Sequence, residues 1–147
     1  RGAFDTAYEK NREAKRALVK QGRAHGTMVL CGNEPVGWCQ YGPREELPRV
    51  DGKRGYIPTS ADHWRITCLF ISKGHRGRGV ARFAVERSVL AMKTIGVKNV
   101  EAYPVEGPLE SAMLWSGTPE QFESAGFKPL QRLGKRGWLY ALSLAST

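Results

Sequence analysis

The residues best suited to chemistry lie in one basic, glycine-rich run. Ser72-Lys73-Gly74-His75-Arg76-Gly77-Arg78-Gly79 follows a β-branched and aromatic segment, Trp64–Ile71, and precedes residues with helical apolar spacing. A strand, a glycine turn and a helix in that order set unpaired amide donors and the positive end of a helix dipole where phosphate oxygens can dock. Gly77 and Gly79 let the backbone come close to such a ligand, and Arg76 and Arg78 add charge and forked donors. A plain left-handed turn would also use glycine; the interleaved arginines favour phosphate. The nucleotide P-loop is excluded, because it ends in Gly-Lys-Ser/Thr and this run continues Gly79-Val80-Ala81. The dinucleotide fingerprint finds an acidic residue, Glu101, about 20 residues on, but its third small position is Arg82, where helix and strand must pack closely.

Other elements must hold this turn. Residues 3–21 are strong helix formers with apolar positions at Phe4, Ala7, Tyr8, Ala14, Leu18 and Val19, and Gly22 at the C-cap. Residues 26–31 and 36–41 are β-rich and flank Gly32-Asn33-Glu34-Pro35, which predicts a hairpin. Residues 42–63 carry Gly42-Pro43, Pro48, Asp51-Gly52, Gly55 and Pro58 without a sustained period, the pattern of a long functional or mobile loop. After the glycine run, Val80, Ala84, Ala91 and Ile95 recur at helical spacing, Phe83, Val85, Leu90 and Met92 widen the apolar face, and Gly96 closes the helix. Residues 98–103 read as a strand and 104–117 as a loop. Thr118-Pro119-Glu120 supplies an N-cap, an N1 proline and an acidic first turn for a short helix ending at Gly126. Residues 127–133 and 138–144 make a last hairpin around Gly134-Lys135-Arg136-Gly137. Without repeats or low-complexity linkers, residues 1–147 read as one α+β domain.

Composition bounds the function. The chain has 147 residues, 41% apolar and 25% charged, enough for one domain with a real core, which excludes disorder and collagen. No apolar run approaches the roughly 20 residues of a membrane helix. Cys31, Cys39 and Cys68 are an odd set in a chain with no secretory leader, and Cys31 and Cys39 are too far apart for a zinc knuckle, so we expect reduced thiols, no metal and a cytoplasmic location. The net charge of +9 argues for an anionic partner. A nucleic-acid-binding module is one such reading, but the basic clusters at 10–20, 73–82 and 128–136 are spread over several elements and lack a recognition helix or an aromatic single-strand motif.

Arg76-Gly77-Arg78-Gly79-Val80-Ala81 resembles the Arg/Gln-x-x-Gly-x-Gly/Ala turn of the GNAT N-acetyltransferase superfamily, which lies between a central strand and a helix. Ser124-Ala125-Gly126-Phe127 is similar to the family's late helix-to-strand junction, and Val36-Gly37-Trp38, with glycine inside a hairpin strand, also looks like it. The order of elements from residue 3 onward is similar to that fold from its second helix to its end. The resemblance implies a three-layer α+β fold: a mixed, mostly antiparallel sheet flanked by helices, with a β-α-β crossover carrying the coenzyme A turn. Members begin with a further strand and helix, whose region lines the acceptor pocket; this sequence has no room for them ahead of residue 3.

The implied activity is acetyl transfer from acetyl-CoA to a small-molecule amine by direct attack on the thioester. The implied cofactor-binding residues are Arg76, Gly77, Arg78, Gly79, Val80, Ala81 and Arg82 for phosphate, and Leu69, Phe70 and Ile71 for the pantetheine arm. In many members a tyrosine four residues before the junction glycine protonates the departing thiolate. Here that position is Phe122, which cannot donate a proton but can pack on the cofactor, leaving water, Tyr103 or Ser116 as donor. Glu101 or Glu106 could deprotonate an ammonium through water; Asp62 and His63 flank the central strand at the loop end. We take Glu101 and Tyr103 as the catalytic pair, His25 and His75 as solvated turn residues, and Cys68 as a strand thiol. Loop 42–63 is expected to border the acceptor entrance. The last hairpin could pair across a homodimer or simply close the sheet. A domain that binds coenzyme A without turnover is the alternative function, suggested by Phe122 and the short front end.

Overall fold

The computed structural model describes residues 25–107 and 116–144; the helix expected over 3–21 lies outside them. The hairpin forms as β1 (His25–Cys31) and β2 (Glu34–Pro43), joined through Gly32-Asn33. Gly32 has φ +64°, a value that glycine takes freely and that the first position of a tight hairpin turn requires. β2 pairs antiparallel with β3 (Trp64–Ile71), and β3 pairs parallel with β4 (Asn99–Ala102) across the helix α1 (Val80–Thr94). A parallel pair needs such a crossover. β4 then meets β6 (Gly137–Ser143) antiparallel, and β5 (Lys128–Leu133) is the outer strand. The result is one six-stranded mixed sheet, ordered β1-β2-β3-β4-β6-β5, an α+β architecture as expected.

Helix α1 begins at the glycine turn and ends where Gly96 predicts. Gly96 sits at φ +90° and donates to Lys93 O, while Val97 donates to Met92 O, the paired bonds that stop a helix at a left-handed glycine. Its buried face differs from the one read in the sequence. Ala84, Val85, Ser88 and Met92 point inward, whereas Phe83, Leu90 and Ile95 are 46%, 52% and 61% exposed. The sheet decides this. Ser88 donates to Thr27 Oγ1 on β1 at 2.8 Å, and Gly37 admits Val80, whose Cγ1 would lie 2.9 Å from a Cβ added there. Phe83 is instead covered by the Arg87 guanidinium, 5.1 Å from its ring centre.

The short helix α2 (Pro119–Glu123) is built from local signals. The Thr118 side chain accepts from Gln121 N–H, and the Gln121 side chain accepts from Thr118 N–H, a reciprocal capping box. Thr118→Ala is expected to cost about 1 kcal/mol, read as a lower midpoint in thermal unfolding. An unchanged midpoint would show that tertiary packing alone holds α2.

The sheet has two differently covered faces. Cys39, Tyr41, Ile66, Leu69, Ile71, Val85, Met92, Phe122 and Phe127 form the main core with α1 and α2. Val50, Tyr103, Leu133 and Leu139, with Tyr56 against them, form a smaller cluster under the 42–63 segment. That segment is more ordered than its composition suggests: β2 runs on to Pro43, and 3-10 turns occupy Arg44–Glu46 and Pro48–Gly52.

Candidate active site

β3 and β4 touch over a short stretch only. Their pairs are Trp64↔Val100, Arg65↔Glu101 and Ile66↔Ala102, whereas β3 continues beside β2 to Ile71. Thr67 has no counterpart in β2, because Gln40 faces Cys68 and Tyr41 faces Ile66; this bulge lies where β3 and β4 stop pairing. The two strands therefore part beyond Ile66, and β4 gives way to Tyr103, Pro104 and a bridge from Val105 to Gly137.

A cavity of about 510 Å³ opens beside the end of β3 that β4 no longer pairs with, lined by Leu69 and Ile71, the glycine turn, the first turn of α1 and the start of α2. Gly77 and Gly79 have φ +76° and +80°, and a Cβ at either would meet nothing within 4 Å. Conformation, not space, therefore requires glycine at both. Gly79 is the N-cap of α1 and offers no side-chain cap. The first amides of the helix have no intrahelical acceptor, and Val80, Ala81 and Arg82 line the cavity. An anion suits that end of the helix. The Arg76 guanidinium donates through Nε to Ile71 O at 3.1 Å, tying the turn to the end of β3. Arg82 also lines the cavity and pairs with Glu86 at 2.8 Å.

Several expected cofactor residues lie elsewhere. Arg78 is exposed, and neither it nor Phe70 is part of the lining. Phe122 is fully buried, edge-on to Phe127 at 5.4 Å, one layer behind the wall. A Cβ on Gly117 would sit 2.7 Å from its ring, so Gly117 is the thin partition between Phe122 and the cavity. Gly117, Thr118, Gln121 and Ser124 join the lining without having been read as site residues, and so does His75, whose Nδ1 lies 2.9 Å from Ser72 Oγ. The Thr118 capping signal marked a helix start at this point, but nothing local shows that it faces the turn at Gly79.

Glu101 and Tyr103 belong to a buried polar cluster beneath the 42–63 segment. Glu101 Oε1 accepts from Tyr56 Oη at 2.6 Å and Tyr103 Oη at 2.8 Å, and Oε2 accepts from Thr59 N and Thr59 Oγ1, each at 2.7 Å. Burial pushes its pKa up, but these donors outweigh burial and hold it below the ordinary value. Tyr56 is pushed up to about 12 by burial and by the Glu101 carboxylate, and Tyr103 is raised for the same reasons.

Arg65, the register partner of Glu101, is also fully buried. It donates to Leu47 O at 2.8 Å, Asp51 Oδ1 at 3.2 Å, Tyr56 Oη at 3.0 Å and His63 Nε2 at 2.8 Å. His63, read as flanking the strand, is buried too. Its Nδ1 lies 2.7 Å from the Ser60 carbonyl, which can only accept, so Nδ1 carries the proton and Nε2 is free to accept from Arg65. The remaining candidates are spread apart. Asp62 is exposed, Ser116 is half-buried, Glu106 pairs with Arg132 at 3.0 Å, and Cys31, Cys39 and Cys68 form no disulfide. Among the described residues no cluster could hold a metal, and no helix is long and apolar enough to cross a membrane.

Comparison with known proteins agrees with this geometry. No curated protein matches the chain. Among solved structures, the ribosomal-protein-S5-alanine acetyltransferase of Vibrio fischeri superposes with a TM-score of 0.62 at 14% identity, over 92% of this chain and 70% of that one. An N-acetyltransferase of Staphylococcus aureus gives 0.62 at 14% identity, over 92% and 77%. An acetyltransferase of Thermus thermophilus gives 0.57 at 23% identity, over 87% and 69%. A sequence profile of the acetyltransferase (GNAT) family matches residues 3–112. With the fold and the family profile in agreement, the chain belongs to the GNAT acetyltransferase family.

Proposed function

We propose that this chain moves an acetyl group from acetyl-CoA to an amine. One observation carries the reading: the end of β3 beyond its pairing with β4 and the uncapped, glycine-led start of α1 line the same cavity. The amides of residues 77–82 suit a pyrophosphate, and Arg76 and Arg82 suit a further phosphate. The backbone of Leu69, Phe70 and Ile71, on the side where β4 has departed, suits the amides of a pantetheine arm. Phe122 supports the wall through Gly117. Acetyl-CoA supplies an activated acyl group as its thioester.

The protein's part is to position the amine and manage protons. Glu101 and Tyr103 flank the point where the strands part. Tyr103 donates to Glu101, so a proton taken up at Tyr103 Oη can be passed on to the carboxylate in one step. With phenylalanine at position 122, the leaving thiolate takes its proton from water or Ser116. A domain that binds coenzyme A without turnover is favoured by one feature, the four donors that already occupy Glu101.

Calorimetric titration with acetyl-CoA and dephospho-CoA, followed by thiol release against small amines, amino acids and peptides, separates these readings. Binding that weakens without the 3′-phosphate, together with thiol release for one amine class, supports transfer. Binding without release by any amine supports the non-catalytic domain, and no binding at millimolar ligand sinks both.

A further inference from the structure

Phe122 cannot donate to a departing sulfur, and Ser116 is not part of the cavity lining. Two aliphatic hydroxyls do belong to that lining, those of Thr118 and Ser124. Ser124 Oγ donates to Gln121 O at 3.0 Å, so its proton is engaged. Thr118 Oγ1 enters the capping box as an acceptor, from Gln121 N–H at 3.4 Å, which leaves its own proton unused there. Among the described residues no group accepts that proton.

The placement of Thr118 suits the sulfur end of the cofactor. Arg76 Nε donates to Ile71 O, so Ile71 is the lining strand residue next to the glycine turn, and Leu69 lies two residues farther along β3. An arm that leaves its phosphates at the turn and follows β3 reaches Leu69 after Ile71. A Cβ on Gly117 would stand 3.2 Å from Leu69 Cδ2, and Gly117 O accepts from Val105 N–H at 3.1 Å. The residue before Thr118 is thus fixed on both sides, against β3 and against the chain just beyond β4, at the Leu69 end of the cavity.

We propose that the Thr118 hydroxyl is a catalytic residue that donates a hydrogen bond to the departing sulfur of coenzyme A. The inference rests on the acetyl-transfer reading above. As the amine nitrogen bonds to the acetyl carbon, the C–S bond breaks and its electron pair stays on sulfur. Thr118 stabilises that charge and keeps its own proton. Solvent supplies the proton that ends on sulfur and receives the one the amine sheds. Nothing is oxidised or reduced.

The test needs no acceptor. Coenzyme A, isotope-labelled beside its sulfur, is followed by carbon NMR as pH is raised through thiol ionisation, with the chain in excess. Bound thiol should ionise in the wild type about one pH unit or more below its midpoint in Thr118→Ala, the shift expected of a hydrogen bond to a charged group. Thr118→Ser, which keeps the hydroxyl, should titrate with the wild type. Thr118→Asp keeps a cap acceptor but brings no proton, so it should hold the thermal midpoint of the wild type and still titrate at least as high as Thr118→Ala. Calorimetry should show coenzyme A bound by every variant. An ionisation midpoint unmoved in Thr118→Ala, one restored by Thr118→Asp, one raised in Thr118→Ser, or loss of binding in Thr118→Ala overturns the proposal and leaves the transfer reading standing. A wild-type chain that does not bind coenzyme A overturns both.

Discussion

Gly79→Trp should fold and fail to bind acetyl-CoA, with affinity reduced at least about 100-fold, or about 3 kcal/mol. The left-handed conformation at φ +80° costs a side chain roughly 1–2 kcal/mol, which a domain of this size should survive. No protein atom lies within 4 Å of the new Cβ, so the indole extends into open space beside the first amides of α1. Gly96→Trp is the matched control. It carries a similar backbone penalty at φ +90°, at the other end of the same helix and outside the cavity lining. Calorimetry should show loss of binding in the first variant and wild-type affinity in the second. Equal affinity in both would remove the phosphate role from the turn.

Removing the buried charge of Arg65 or that of Glu101 should destabilise the fold by about 3 kcal/mol in each case, because each leaves buried hydrogen-bonding groups without their partner. Arg65→Met takes the donor from Leu47 O and His63 Nε2, while Asp51 keeps Arg44; Glu101→Gln turns an amide donor toward donors from Tyr56, Thr59 or Tyr103. Tyr56→Phe, which removes the hydroxyl shared by both, should cost about 1–3 kcal/mol, and the double variants should be non-additive. Urea unfolding measures all of these, and additive losses would mean the groups act separately.

The cluster also fixes the sign of the pH response. Glu101 is depressed below its usual 4.5, so its stabilisation is complete above that value and is lost as pH falls through the lower folded pKa. Tyr56 is raised from 10.0 to about 12, so its contribution is complete below pH 10 and is lost as pH rises toward 12. Glu101→Gln should flatten the acid limb and Tyr56→Phe the alkaline limb of stability against pH. Limbs unchanged in both variants would assign the pH dependence to other groups.

What the sequence determined by itself was local in its physics. The Gly77 and Gly79 turn, the Gly96 and Gly126 stops, the Thr118 cap and the Gly32 hairpin each depend on backbone conformation and a few neighbouring hydrogen bonds, so they could be read directly and were found in place. Tertiary structure decided the rest. Arg65 and Glu101 look like solvated strand charges until the parallel register sets them side by side and the 42–63 segment covers them with Tyr56, Thr59 and His63. The solvent face of α1, with Phe83, Leu90 and Ile95, could not be read because apolar residues occur around much of that helix; contacts to Thr27 and Gly37 on distant strands fix its rotation. The cavity brings together Leu69 and Ile71, on β3 beyond its pairing with β4, the glycine turn and the start of α2, which are far apart in the sequence. A strand's composition encodes burial, whereas where two strands part is set by long-range packing on both sides of the sheet.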